Sequence, residues 1–140
     1  MASIAEVKPE SFSQQSKSLI ANSRHATLSV ISSEYGVHSI LVNFVYSDDF
    51  AEFYVLSRPT SRKVSNIKAH GVASLLFANG SSYTSISAWA TIDSSSQTRR
   101  LAEELFTRRY NRTPRIAEER VIIVITPRRW HGQISKGSDS

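Results

Sequence analysis

Residues 53–78 read FYVLSRPTSRKVSNIKAHGVASLLFA, a pattern of strand, tight connection, short helix and strand. The apolar run Phe53, Tyr54, Val55, Leu56 has strand character, and Arg58-Pro59 ends it because proline cannot donate to a ladder. Thr60 or Ser61 is placed to N-cap a helix whose inward residues are Val64 and Ile67. Gly71 closes that helix, and residues 72–77 return as a second buried strand. The first helical turn, Thr60-Ser61-Arg62-Lys63, offers unbonded N–H groups, hydroxyls and cations at the positive end of a helix dipole. Such a set suits a phosphate monoester or a similar anion. A capped surface helix with solvated cations is the other reading of the same four residues.

The composition sets the frame around this segment. A chain of 140 residues has room for one core, and an apolar fraction of 40% with 9% aromatics suits a compact fold rather than a disordered chain. The sequence has no cysteine, which excludes disulfides, thiolate zinc sites and cysteine nucleophiles and fits a cytoplasmic setting. No apolar run approaches the roughly 20 residues of a membrane span, and the N-terminus lacks the pattern of a signal peptide. A net charge of +5 points to an anionic partner without naming it.

In chain order, residues 1–10 read as a flexible leader and residues 11–22 as a modest amphipathic helix carrying Phe12, Leu19 and Ile20 on one face. Residues 25–33 alternate as a strand, 33–36 turn, and 38–46 return as one longer strand, an antiparallel hairpin. Asn79-Gly80 is the dipeptide preferred at type I′ turns. The strand after it, 83–92, alternates Ile86, Ala88, Ala90 and Ile92 against Tyr83, Ser85, Ser87 and Trp89, a small-residue surface suited to close packing. Ser94, Ser95 and Ser96 offer N-caps for a helix over 97–110, with Leu101, Ala102, Leu105, Phe106 and Tyr110 in one stripe and the arginines opposite. Residues 121–125 form a strongly β-prone run, and the domain ends near residue 132, leaving 133–140 as a polar tail. Six strands joined by short turns imply a mainly β fold with flanking helices, closed as a small antiparallel split barrel.

Catalytic groups are scarce. His25, His38, His70 and His131 have no metal-ligand spacing, and there is no nucleophile elbow. Asp48-Asp49 sits in a predicted turn and Glu103-Glu104 on a helix's exposed side, so neither reads as an acid–base pair. An enzyme built this way takes its reactivity from a bound cofactor. The cluster Arg108-Arg109-Tyr110-Asn111-Arg112-Thr113-Pro114-Arg115 is the strongest nucleic-acid signal, but it reads better as a solvated helix end.

The order of these features resembles the pyridoxamine 5′-phosphate oxidase-like superfamily of flavin-binding split barrels. ATLSV at 26–30 is similar to the family's first strand, and FYVLS with TSRKVSNIKAHGVASLLF to its phosphate-binding strand–helix–strand, Ser-x-Lys-x-x-Asn-Ile/Leu. SISAWATI at 85–92 is similar to the strand often written V-x-V-x-G-x-A-x-I, with Ala88 in the glycine's place. The resemblance implies that Ser61, Arg62 and Lys63 bind the cofactor's phosphate and that Ser57 reaches a ribityl or phosphate oxygen. It further implies that Leu41, Val42, Asn43 and Phe44 lie along the isoalloxazine ring. Tyr83 and Thr84 fall where the family contacts cofactor from a neighbouring subunit, and the family is typically a homodimer.

True pyridoxamine phosphate oxidases carry an arginine and a lysine on the second long strand, where residues 38–46 have neither, and a longer C-terminal region. The resemblance therefore implies an FMN-binding oxidoreductase of another kind, acting on an unidentified small molecule. RRYNRTPR and RVIIVITPRRW resemble the branch of reductases that use the deazaflavin coenzyme F-420. A non-enzymatic module holding FMN or haem and a basic nucleic-acid-binding barrel are the alternatives from other classes.

Overall fold

The computed structural model describes residues 12–115 and 119–135. The leader, residue 11 and residues 136–140 of the expected tail lie outside the described residues. Three helices and seven strands follow one another as α1 (Gln14–Asn22), β1 (Ala26–Ser32), β2 (Gly36–Val42), β3 (Val45–Tyr46), β4 (Phe53–Ser57), α2 (Arg62–His70), β5 (Val72–Asn79), β6 (Ser82–Asp93), α3 (Ser96–Tyr110) and β7 (Val121–Gln133). All pairings are antiparallel, in the order β2-β1-β5-β6-β7-β4-β3.

That order forces curvature. β2 and β3 are the two edges of the sheet, yet only Asn43 and Phe44 separate them in the chain. Three Cα–Cα steps reach at most about 11 Å, so the sheet must curl until its edges nearly meet. The result is an antiparallel barrel with a seam at Asn43-Phe44. One strand was expected over 38–46; the seam divides it, which is why there are seven strands and not six.

The apolar patterns follow from what covers each face. β1 alternates, with Ala26, Leu28 and Val30 buried in the barrel, because its outer face is open. β4 and the start of β7, which pair antiparallel, are instead buried on successive residues, Phe53, Tyr54 and Val55 in one and Val121, Ile122 and Ile123 in the other. Phe53, Val55 and Ile123 face the barrel core, while Tyr54 and Ile122 join Ala102 and Phe106 of α3 in a second cluster behind the sheet. Two-sided cover explains why these runs are continuously apolar.

Several local expectations shift. The β5–β6 loop is Gly80-Ser81, with Asn79 still paired to Ser82; Gly80 alone takes a positive φ, 62°, the pattern of a type II′ turn instead of type I′. Leu101 leaves the apolar stripe of α3 and is 44% exposed. β7 continues to Gln133 along β6, past a bulge where Arg128 is the extra residue beside Pro127, so the strand runs well beyond the expected 121–125. A proline at a bulge costs no ladder bond. Gly132 is required there, because an added Cβ would stand 2.5 Å from the Tyr83 carbonyl oxygen.

Inside the barrel, Phe77 lies 4.9 Å from Phe44 and 5.8 Å from Phe53, ring centroid to centroid, and is fully buried. Phe77→Ala is expected to cost about 3–5 kcal/mol in urea-induced unfolding, and a loss under about 1 kcal/mol would contradict this packing.

Candidate functional site

The helix of the opening segment forms as expected. Gly71 ends α2 at φ 72°, and Val64 and Ile67 face the core. Ser61 stands at the N-cap, but its hydroxyl does not cap the helix. It meets Ser57 Oγ at 2.9 Å instead, while the Ser57 hydroxyl also lies 3.0 Å from the Arg58 carbonyl. The first-turn N–H groups of Arg62 and Lys63 are thus left without a capping side chain. A helix start that is basic and uncapped is a place for an anion.

Lys63 is the residue that turns this end into a site. It lines a cavity of about 210 Å³ together with Leu41, Val42, Asn43, Phe44, Val55, Leu56 and Phe106. Of the residues expected to hold a phosphate, Lys63 therefore shares one hollow with Leu41, Val42, Asn43 and Phe44, the four expected along a ring, whereas Ser57 and Ser61 do not line it. Burial, and after it the charge of Arg58, holds the Lys63 ammonium below the usual lysine range. No carboxylate among the described residues pairs with it. A half-buried cation without a counter-ion is costly, and a ligand anion relieves the cost.

The other expected residues are placed as follows. Leu41 is 69% exposed at the cavity rim, whereas Phe44 is buried. Arg62 turns outward, its guanidinium 5.5 Å from the centre of the Tyr35 ring, and does not line the hollow. Tyr83 is half-buried beside His131, ring centroids 5.6 Å apart. Thr84 is a core residue: it is fully buried, and its hydroxyl donates to Ser16 Oγ at 3.0 Å. A side chain so enclosed tethers α1 to the sheet and cannot reach a ligand.

Several features were not foreseen. Phe106 supplies part of the cavity wall; its place in the apolar stripe of α3 marked it for burial but not for a site. Asn66, the asparagine of the Ser-x-Lys-x-x-Asn pattern, has a buried Nδ2 without an acceptor. Its position in that pattern was the available signal. Arg109 was expected among solvated arginines, yet it lies over Phe44 with Cζ 4.3 Å from the ring centre. Of the remaining arginines in that cluster, Arg112 covers Phe106 at 5.1 Å, so the basic run is partly engaged with the protein's own rings. Glu103, expected on an exposed face, pairs with Arg99 at 3.2 Å and with Arg120. Asp49 behaves as a turn residue, accepting from Ser47 Oγ at 2.7 Å and Ala51 N at 3.0 Å, and these bonds hold its carboxyl below the usual range.

The class defined by this fold and site is an antiparallel split barrel in which a basic helix start without a side-chain cap sends Lys63 into a hollow lined by the end of β2 and the seam. The pyridoxamine 5′-phosphate oxidase family model matches residues 12–134, and the chain belongs to that family. Solved structures agree on the fold. A conserved hypothetical protein from Mycobacterium tuberculosis superposes with a TM-score of 0.76 at 17% identity, covering 99% of this chain and 98% of that one. An F-420 reductase gives 0.70 at 17% identity, covering 86% and 98%. General stress protein 26 from Bacillus anthracis gives 0.68 at 21% identity, covering 85% and 91%. No curated protein matches the sequence.

The lowered pKa of Lys63 has a sign that can be measured. Only the ammonium form attracts a phosphate monoester, so affinity for such a compound, with FMN as the probe, is expected to hold below that pKa and to fall as pH rises through it, ahead of the ordinary lysine range. Lys63→Arg, which stays charged, is expected to flatten the alkaline fall in an FMN titration; an identical fall in the variant would show that Lys63 is not the titrating group.

Proposed function

We propose that the protein is a flavin-binding oxidoreductase that holds FMN with its ring along Leu41–Phe44 and its phosphate at Ser57, Ser61 and Lys63. The observation that carries this reading is the shared hollow, in which an uncompensated cation faces the wall assigned to the ring. When bound, the flavin supplies hydride transfer. The chain's own part is to bind the anion, orient the ring and keep water from its buried side. Phe44, enclosed by Phe53 and Phe77, is a rigid floor for that purpose. The acceptor is a small molecule, and the cytoplasmic setting expected from the cysteine-free sequence belongs to the same proposal. A deazaflavin of the F-420 type is the second reading. It is favoured by Arg58, whose charge is felt at Lys63 and which would meet a longer anionic tail.

The site is also proposed to be completed by a second copy of the chain. The cavity, about 210 Å³, is below the roughly 300–1,000 Å³ typical of enclosed ligand sites, so a further wall is needed. The open outer face of the sheet supports this. Registered residues Ser39, Ser29, Ser74 and Ser87 run across β2, β1, β5 and β6 as a small-residue row. On either side stand Leu41 and Leu76, and Val37 and Trp89, all exposed. A low, apolar-edged surface of this kind suits close packing of two identical sheets.

Difference spectra with added FMN and deazaflavin test the cofactor assignment, and no uptake of either at micromolar concentration would refute it. Lys63→Ala is expected to weaken FMN binding by about 1.5–3 kcal/mol, the worth of a charge-assisted contact, and Arg62→Ala by under about 1 kcal/mol because that side chain is exposed. Equal losses would return Arg62 to the site. In sedimentation the protein is expected at twice the chain mass, and Ser74→Arg at the mass of one chain; a monomeric parent would dismiss the shared site.

A further inference from the structure

At the barrel seam the chain leaves β2 and re-enters as β3, and Phe44 belongs to neither ladder. Its ring is buried, so its peptide groups need partners other than water. Both are met by one side chain from the last turn of α3. The Phe44 N–H donates to Tyr110 Oη at 3.0 Å, and the Tyr110 hydroxyl stands 3.0 Å from both the Phe44 and the Arg24 carbonyl oxygens. With one proton to give, it bonds one of them at a time.

The neighbouring residue works on the same spot. The Arg109 guanidinium covers the Phe44 ring and lies 5.4 Å from that of Tyr46. Its terminal nitrogens donate to the carbonyls of Ile20, Ala21 and Ser23, the last of these very closely. These are carbonyls at the C-terminal end of α1, where a cation also meets the negative end of the helix dipole. Two consecutive residues of α3 therefore tie together the end of α1, the start of β1 and the seam.

We propose that Tyr110 and Arg109 are positioning residues for the ligand wall: by clasping the seam they fix Asn43 and Phe44 where the cavity needs them. This deepens the flavin reading above and rests on it. The clasp acts on the part of the site assigned to the ring, since Asn43 and Phe44, the residues at the seam it holds, belong to the cavity lining. A residue that merely stabilised the fold would lower the melting temperature without selecting one end of the ligand.

Tyr110→Phe is the direct test, because it keeps the ring that packs 4.7 Å from Phe106 and removes only the hydroxyl. In ligand-free protein, amide exchange at Phe44 is expected to quicken about tenfold or more, the cost of an unpaired buried N–H. FMN and riboflavin are both expected to bind about five- to tenfold more weakly, and by the same factor, since riboflavin shares the ring but lacks the phosphate. Lys63→Ala, in contrast, is expected to weaken FMN alone. Unchanged exchange at Phe44 in a folded variant overturns the clasp. Faster exchange with parental affinity for both flavins overturns the positioning role. Should Tyr110→Phe fail to fold, Arg109→Lys, which keeps charge but loses the stacked plane, is held to the affinity outcome: an equal loss for both flavins supports the positioning role, and parental affinity for both overturns it. A parent protein that takes up neither flavin refutes the flavin reading, and the exchange rate of Phe44 in the variant then decides the clasp by itself.

Discussion

A buried peptide group must find a hydrogen-bond partner, and the most demanding place for that rule in this fold is a two-residue gap. The strands at the two ends of the sheet are neighbours in the chain, separated only by Asn43 and Phe44. The connection is too short to cross an open sheet of seven strands. Curling is therefore imposed by connectivity, and the interior it creates is filled by Leu28, Phe53, Leu75, Phe77, Ile86 and Ile123. The seam left at the closure is where ladder bonding fails, and Tyr110 makes good the missing partner. α3 is thus more than a cover for the back of β4 and β7. Its last turn closes the barrel.

The same geometry explains how the sequence can be read and where it cannot. Period-two alternation in β1 and β6 and unbroken apolar runs in β4 and β7 differ because one pair has an open outer face and the other is covered by α3. Those patterns are local, and the strand–helix–strand at 53–78, with Gly71 at its left-handed position, was legible from them. The seam was not. HSILVNFVY reads as one continuous strand, and nothing within it shows that Phe44 gives up its ladder bonds. The partner that makes the break possible is 66 residues away. Arg109 was hidden for the same reason: a helix with arginines at 99, 100, 108 and 109 looks uniformly solvated until a second helix end and a phenylalanine ring are brought beneath one of them.

Electrostatics separates the two cations at the start of α2. Both were equally plausible as anion ligands from the tetrapeptide, since adjacent helical residues differ by about 100° in direction. Only the packing of Val64 and Ile67 fixes the rotation of the helix, and that rotation sends Lys63 into the cavity and Arg62 toward Tyr35. The consequence is unequal. Arg62 keeps its water and gains a weak contact with a ring, while Lys63 loses part of its hydration without gaining an acid. The first-turn N–H groups and Asn66 Nδ2 are donors lacking acceptors in the same helix. At the helix start itself, no carboxylate among the described residues pairs with Lys63.

Shape carries the reasoning one step beyond charge. The hollow is lined by Lys63, by the buried Phe44 and by the largely exposed Leu41, so its lining runs from the core to the surface. A planar ring resting there would keep one face against protein and leave the other open, and an open face is where a second reactant approaches. Leu41 links the two surfaces, since it rims the cavity and, through Thr27, stands in register with Leu76 on the outer face of the sheet. Any body that packed on that outer face would therefore also border the hollow. Site and surface are contiguous because they lie along the same strand, β2, which ends at the seam.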